Sequence, residues 1–125
     1  MTIVAFRDWY DFILCDNALE LFDYFGVEKM HGLTRSACVK RMQEGGTYID
    51  GLANYNPTDE LGRPFVFINR AALHKDHRDV TLLMHEMVHL SLLIHNWNVG
   101  ECEEEIVTWA EEQCNVIFSS FLARL

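Results

Sequence analysis

The first third of the chain carries apolar residues at helical spacing. Two sets recur along it: Trp9, Phe12 and Ile13, followed by Leu19, Phe22 and Phe25. Such spacing places the side chains of each set on one face of a helix. Asp16 can cap the second helix at its N-terminus, and Gly26 can end it.

A third, short helix is predicted in the same part of the chain. It begins at Thr34 or Ser36 and continues to Met42. Both starting residue types are common N-caps, and Gly45 and the glycine after it supply a stop. Residues 1–46 are therefore interpreted as a helical front segment.

The hydrophobic period changes to that of β-structure after this segment. Residues 48–55 predict a strand that Gly51 weakens, and residues 57–64, with two prolines and a glycine, predict a turn. Residues 65–69, Phe-Val-Phe-Ile-Asn, predict the clearest strand of the chain. A β-hairpin therefore follows the front segment.

Two helices complete the predicted order. The apolar run over residues 80–94 predicts a buried helix, which Asp76 or Asp79 can cap. Residues 96–100 predict a loop, and residues 101–125 predict one long helix. Its apolar stripe contains Ile106, Val107, Ala110, Cys114, Ile117 and Phe121. The predicted class is α+β, with a small antiparallel sheet or hairpin packed on these two helices.

Composition limits the size and the partners of the protein. A chain of 125 residues, half of them hydrophobic, is long enough for one core and too short for two domains. The formal net charge of −9 argues against a nucleic-acid surface, which would need clustered lysine and arginine. We therefore expect a single domain over residues 1–125, with the helical front segment followed by the hairpin and the last two helices over residues 47–125.

Cysteine spacing and the start of the chain bear on localisation. The four cysteines are Cys15, Cys38, Cys102 and Cys114, and no two of them have CxxC spacing. No secretory leader pattern opens the chain, and no apolar run reaches the roughly 18–20 residues that a membrane span needs. We expect a reduced, cytoplasmic protein with free and mostly buried thiols, and no membrane partner.

The strongest chemical signal lies in the helix predicted over residues 80–94. His85, Glu86 and His89 form an HExxH motif there. Residues four apart on a helix differ by about 40° around its axis, so both imidazoles point the same way and can share one metal ion. Neutral imidazoles, an open coordination position and a carboxylate that can take a proton from water suit Zn²⁺. Because unpaired polar groups are costly in an apolar helix, the motif predicts a zinc site with Glu86 as the base.

A zinc site needs a third protein ligand, and the sequence offers three candidates. His95 has the spacing of the third metzincin histidine, but Leu92 replaces the helix-breaking glycine and leaves His95 about 80° off and more than two turns away. Glu103 extends the apolar stripe of the last helix, and a carboxylate on a core-facing stripe needs a partner. Glu104 lies about 100° from that position. We prefer Glu103, which gives the predicted metal ligands His85, His89 and Glu103.

The order of hairpin, HExxH helix, loop and glutamate-bearing helix resembles a known group. It is similar to the minimal zincin-like metallopeptidases of the gluzincin type, especially the ImmA/IrrE-like proteins. In these a strand ending in asparagine precedes the HExxH helix, as residues 67–69 do here. Their ligand helix often reads ExEAxxxA, which residues 103–110 match with Glu103 first. Ile106 and Val107 depart from the pattern, and Val107 stands where a polar residue would orient a histidine ligand.

The resemblance implies metal-assisted hydrolysis of peptide bonds. Glu86 would take a proton from water and pass it to the leaving amine. The strand at residues 65–69, if it is the sheet edge, would hold an extended peptide by main-chain hydrogen bonds. In a chain this short, we expect the substrate to be one specific protein partner.

A non-catalytic module is the alternative from a different class. It would keep the zinc for stability and act as a regulatory or interaction protein. An intact Glu86 argues against this alternative, because a purely structural zinc site needs no base. The oligomeric state is unknown from the sequence.

Overall fold

The computed structural model describes residues 1–59 and 62–122, and in that part of the chain four α-helices accompany a four-stranded mixed sheet. The strands are β1 Ile3–Phe6, β2 Asp11–Cys15, β3 Lys29–Met30, β4 Leu33–Thr34, β5 Gly51–Tyr55 and β6 Pro64–Asn69. The helices are α1 Ala18–Phe25, α2 Arg35–Gln43, α3 His77–His95 and α4 Glu103–Ser120. The predicted α+β class is confirmed.

The main sheet has the order β1-β2-β6-β5. β1 pairs with β2 and β5 pairs with β6 in antiparallel fashion, whereas β2 and β6 run parallel. The sheet is therefore mixed, and the expectation of a purely antiparallel sheet was wrong. The hairpin of β5 and β6 forms as predicted, but its second strand also pairs with β2. β3 and β4 form a separate two-stranded sheet.

Both faces of the main sheet are covered. Alternate residues of β2 enter two different core clusters, with Phe12 and Leu14 on one face and Ile13 and Cys15 on the other. The first face packs against the buried sides of α3 and α4, and the second packs against α1 and α2. The chain therefore forms three layers, and the HExxH helix lies directly on the sheet.

The front segment is only partly helical. Phe12 and Ile13 of the first predicted helix belong to strand β2, and Trp9 lies in the bend before it, so that prediction was wrong. All five residues of β2 are buried, because the strand is central and covered on both faces. A short, continuous apolar run of this kind fits a buried strand and a buried helix equally well by period alone.

The other two predicted front helices are confirmed as α1 and α2. The N-cap of α1 is Asn17, whose side chain accepts a hydrogen bond from the Glu20 N–H at 3.1 Å. Asp16, the predicted cap, instead pairs with Arg70 at 3.1 Å. Gly26 ends α1 in the left-handed region at φ 68°, and Thr34 caps α2.

The helices of the second half begin and end close to the predicted residues. Asp76 caps α3, and Asn96 ends it in the left-handed region at φ 49°. The N–H groups of Glu101 and Cys102 donate to the Asn98 carbonyl in a turn, so α4 begins two residues later than predicted, at Glu103. The residues of the predicted stripe that are buried in α4 are Ile106, Ala110, Cys114 and Ile117.

Several sequence-based expectations concern positions that the structure leaves outside its description. Residues 60–61 of the predicted turn and residues 123–125 of the predicted last helix lie outside the described residues. No helix in the described ranges is long and apolar enough to cross a membrane.

The four cysteines are free, and Cys15, Cys38 and Cys114 are buried. Burial raises the pKa of the Cys15 and Cys114 thiols to about 11, so both are protonated at neutral pH.

Candidate metal centre

The middle of α3 brings the two motif histidines together at the surface. The Nε2 atoms of His85 and His89 lie 3.2 Å apart, and their ring centroids lie 4.7 Å apart. Both side chains are exposed, with 64% of the His85 side chain accessible. The one-turn spacing in the sequence thus gives two imidazole nitrogens that face one point in solvent.

The separation of these nitrogens suits a shared zinc ion. With Zn–N bonds of about 2.0–2.1 Å and tetrahedral geometry, two ligand nitrogens on one zinc are about 3.3 Å apart. The 3.2 Å between His85 Nε2 and His89 Nε2 matches this value. A single N–H···N hydrogen bond between the rings has a similar length, and metal analysis distinguishes the two arrangements.

Glu86 lies on the inner side of the same helical turn. Its side chain is only 9% exposed, and its Oε1 atom is 3.9 Å from His85 Nε2. Burial raises the pKa of the Glu86 carboxyl, and the neighbouring His85 partly opposes that shift. A raised pKa makes the ionised carboxylate a better proton acceptor at neutral pH. Glu86 is therefore a buried carboxylate next to the imidazole pair, and its role as a base stays a prediction.

Gly51, at the start of strand β5, allows the sheet to approach Glu86. A Cβ atom at Gly51 would lie 2.8 Å from Glu86 Cγ and 3.2 Å from the Phe67 carbonyl oxygen. Real side chains do not tolerate the first distance, so the position needs glycine. The sequence signal was visible, because a lone glycine in a strand pattern often marks a close approach of backbone to another group. By local pattern alone, however, Gly51 indicates only a weak point in the strand.

We expect Gly51→Ala to retain the fold and to displace Glu86. The added methyl group forces the buried Glu86 side chain or the backbone of β5 to move, at a cost of about 1–3 kcal/mol in the free energy of unfolding. Zinc content should not change, because the atoms nearest to a Cβ at Gly51 belong to Glu86 and Phe67 and not to a histidine. Urea unfolding and metal analysis of the variant measure both quantities.

Gly100→Ala is the matched control for this substitution. The nearest atom to a Cβ at Gly100 is Asn98 Oδ1 at 3.4 Å, which is an ordinary van der Waals contact. We expect its effect to stay within about 0.5 kcal/mol, as for most surface changes. Equal stability of the Gly51→Ala variant and the wild type would show that β5 does not pack closely against Glu86.

Asn69, the last residue of β6, holds the segment that enters β5. It is fully buried, and its Nδ2 group donates to the Ile49 carbonyl at 2.9 Å and to the Thr47 carbonyl at 3.3 Å. Its Oδ1 atom accepts from the Ala71 N–H at 2.9 Å. Asn69 thus fixes the position of the strand that carries Gly51.

Glu103 lies in the first turn of α4, on the side that faces α3. Its side chain is exposed and lines a cavity of about 200 Å³ together with Val88 and Leu92 of α3. Val88 also lines the depression of about 630 Å³ in front of His85 and His89. The carboxylate therefore borders the same part of α3 as the histidine pair.

The structure forms the histidine pair and does not complete a ligand set around it. Among residues 1–59 and 62–122, no three His, Cys, Asp or Glu side chains are grouped closely enough to hold one metal ion. Glu104, the alternative on α4, lines a different depression, beside Trp97. The role of Glu103 as third ligand stays a prediction.

His95 lies in an aromatic cluster away from the motif histidines. Helix α3 continues through Leu92, as predicted from the missing glycine. At about 1.5 Å of rise per residue, His95 is about 15 Å from His85 along the helix axis. Its ring stacks on Trp97 with centroids 4.1 Å apart. This position suits an aromatic contact and not a ligand of a metal at His85.

Comparison with known proteins gives no match to a protein-family model, to a curated protein or to a solved structure. The resemblance to zincin-like metallopeptidases therefore stays a prediction.

Proposed function

We propose that this protein is a zinc-dependent peptidase with a minimal zincin-like fold. The observation that carries the proposal is the pairing of His85 Nε2 and His89 Nε2 at 3.2 Å, with the buried Glu86 carboxylate 3.9 Å from the first of them. Two neutral imidazoles and an adjacent carboxylate with a raised pKa are the groups that metal-assisted hydrolysis needs.

Each residue of the site has a distinct role in this proposal. His85, His89 and Glu103 hold the zinc ion. When bound, zinc polarises the scissile carbonyl and lowers the pKa of water. Glu86 accepts the proton of the attacking water on its carboxylate and then donates it to the leaving amine. Burial of Glu86 keeps this proton acceptor poorly solvated and close to the reacting groups.

The substrate-binding edge in this proposal is β5. The expectation that residues 65–69 form the edge was wrong, because β6 pairs with β2 on one side and β5 on the other. The Asp50 carbonyl accepts from the Asn69 N–H, so main-chain groups of alternate residues point away from β6, beginning with Gly51 and Ala53. Those groups are the ones available to an extended peptide.

One end of this edge is already covered. The Tyr55 carbonyl lies 2.7 Å from His31 Nε2, in the turn between β3 and β4. A peptide therefore has room beside Gly51 and Ala53, next to Glu86. So short an edge offers few main-chain hydrogen bonds, which fits a narrow peptidase that recognises one protein partner through further contacts.

A non-catalytic, zinc-stabilised module is the second candidate. It is favoured by Val107, which stands where the resembling family has a polar residue and is 36% exposed. Without a polar group there, a ligand histidine loses one orienting hydrogen bond. The buried Glu86 favours the peptidase, because a structural site has no use for a base.

Metal analysis of purified protein tests the ligand set. We expect one zinc per chain in the wild type after removal of metal with a chelator and reloading. His89→Ala should lose the metal, and Glu103→Ala should weaken zinc affinity by more than about 100-fold, since even an outer partner of a ligand is worth about 10–100-fold.

Glu101→Ala is the matched control for Glu103→Ala. Glu101 is also exposed and lies in the turn just before α4, outside the cavity beside Val88. Its zinc affinity should equal that of the wild type. Full zinc binding by Glu103→Ala would remove Glu103 from the site, and full zinc binding by His89→Ala would contradict the metal centre as a whole.

A further inference from the structure

The three tryptophans of the chain gather around one histidine. Trp9, Trp97 and Trp109 come from three distant segments, and the sequence contains no other tryptophan. The ring centroid of His95 lies 4.1 Å from that of Trp97, 5.2 Å from Trp109 and 6.5 Å from Trp9. We call these four residues the tryptophan cluster.

One member of the tryptophan cluster, Trp109, is held in place from within the core, and the cluster is open at the surface. Tyr10 packs edge-on against Trp109 at 5.9 Å, and its hydroxyl donates to Gln113 Oε1 at 2.7 Å. Trp97 and Trp109 are half-buried, whereas Trp9 is 63% exposed. Large aromatic side chains that are fixed in position and still accessible are typical of binding hot spots.

A surface depression beside the cluster is lined by carboxylates. The depression has a volume of about 350 Å³. Its lining includes Trp97 and Trp109 together with Glu104, Glu105 and Glu112. In the part of the chain that the structure describes, none of these three glutamates forms an ion pair. The depression therefore combines indole surfaces with unneutralised negative charge.

The chain segment that carries the three glutamates supplies no positive charge of its own, and Arg7 lies on the other side of Trp109, at the Tyr10 hydroxyl. Residues 96–122 contain no lysine, arginine or histidine. The same segment carries these acidic residues: Glu101, Glu103, Glu104, Glu105, Glu111 and Glu112. Burial lowers the pKa of His95, so its ring is neutral at pH 7.

We propose that the tryptophan cluster and the adjoining depression bind an arginine or lysine side chain in a basic segment of a partner protein. A cation over an indole face is attracted by the ring quadrupole, and the three carboxylates add charge attraction on the rim. The planar guanidinium of arginine can also stack on an indole, so arginine should bind more tightly than lysine. This site does not depend on the metal centre.

Other occupants suit this surface less well. A nucleic acid or an anionic membrane would meet three carboxylates, and a second copy of a chain with a net charge of −9 would be repelled. A basic protein segment is the occupant with complementary charge.

Tryptophan fluorescence tests the proposal directly, because every tryptophan of the chain lies in the cluster. The full-length protein is titrated with hexa-arginine, hexalysine and hexaglycine at physiological salt, and calorimetry follows the same titrations. We expect saturable binding of hexa-arginine with a change in emission, weaker binding of hexalysine and none of hexaglycine. No binding of hexa-arginine, or binding without an emission change, overturns the proposal.

Two double variants of equal net charge distinguish binding at the depression from attraction by the overall negative charge of the protein. Glu105→Gln with Glu112→Gln removes two carboxylates from the depression, whereas Glu101→Gln with Glu111→Gln removes two from outside it. We expect the first pair to weaken hexa-arginine binding about tenfold and the second less than about twofold, since screening limits distant charges. Equal weakening by both pairs would mean that net charge alone attracts the peptide, and it would overturn the proposal.

A further variant tests the aromatic half of the site. Trp97→Leu removes an indole face without changing charge and should also weaken hexa-arginine binding about tenfold. Unchanged affinity in a variant whose melting temperature is near that of the wild type would contradict cation binding on the indole. His89→Ala should bind hexa-arginine as the wild type does, so failure of the metal centre and failure of this site are distinguishable.

Discussion

Replacing Glu86 with glutamine is expected to leave the fold and the zinc content unchanged and to reduce peptide hydrolysis by about 10²–10⁴-fold, the range typical for loss of a general base. The amide has the shape of the carboxylate but cannot accept the proton of the attacking water. Glu86 lies 3.9 Å from His85 Nε2 and packs under Gly51. In the proposed function it acts on water and does not bind the metal.

The activity measurement needs a substrate, and the search for one also measures the substrate range. Zinc-loaded wild type is incubated with casein, a peptide library and a soluble proteome, and cleavage is read by mass spectrometry. We expect few cleaved proteins, because a short strand edge beside Glu86 gives little selectivity or affinity by itself. Rapid cleavage of casein at many sites would contradict a narrow substrate range.

Controls for the Glu86 experiment distinguish chemistry from metal binding. His89→Ala should lose both zinc and activity, whereas Glu101→Gln should lose neither. Release of zinc by Glu86→Gln would make Glu86 a ligand and overturn the assigned role. If the wild type binds zinc fully and cleaves nothing, the non-catalytic module becomes the better description.

Local signals in the sequence were sufficient to predict helix α3 and the pairing of His85 with His89. The apolar run over residues 80–94 is too long for a strand, and Asp76 caps its start. One-turn spacing on a helix then dictates that His85 and His89 face the same way. These features depend on contacts within a few residues, which is why the sequence predicts them.

Features that depend on distant contacts were missed or assigned to the wrong element. The burial of β2 on both faces removes the alternation that identifies a strand, so Phe12 and Ile13 gave a false helical period. The position of β6 inside the sheet depends on its parallel pairing with β2, which no local residue pattern encodes. The need for glycine at position 51 arises from Glu86, far along the chain.

The candidate ligand on α4 shows the same limit. The helical repeat places Glu103 on the side of α4 that faces α3, where it borders Val88. The helical repeat cannot give the distance between α3 and α4, which depends on the side chains packed between the two helices. The tryptophan cluster was also beyond prediction, since Trp9, Trp97 and Trp109 meet only after the sheet and α4 have packed.

The central position of β6 leads to a large effect on stability. Phe67 is fully buried, and its strand is paired with β2 through Ile13 and with β5 through Leu52. Its ring lies in the core cluster between the sheet and α1. We expect Phe67→Ala to lower the free energy of unfolding by about 3–5 kcal/mol, as for other fully buried phenylalanines. Urea unfolding followed by circular dichroism measures the loss.

Phe6→Ala is the matched control, because it removes the same atoms from the edge strand β1, where Phe6 is 73% exposed. Its cost should be less than about 1 kcal/mol, because little apolar surface leaves the core. Since domains are stable by only about 5–15 kcal/mol, the Phe67→Ala variant should lie near the limit of folding, and the Phe6→Ala variant should not. Equal losses at the two positions would contradict a sheet in which β6 is central and β1 lies at the edge.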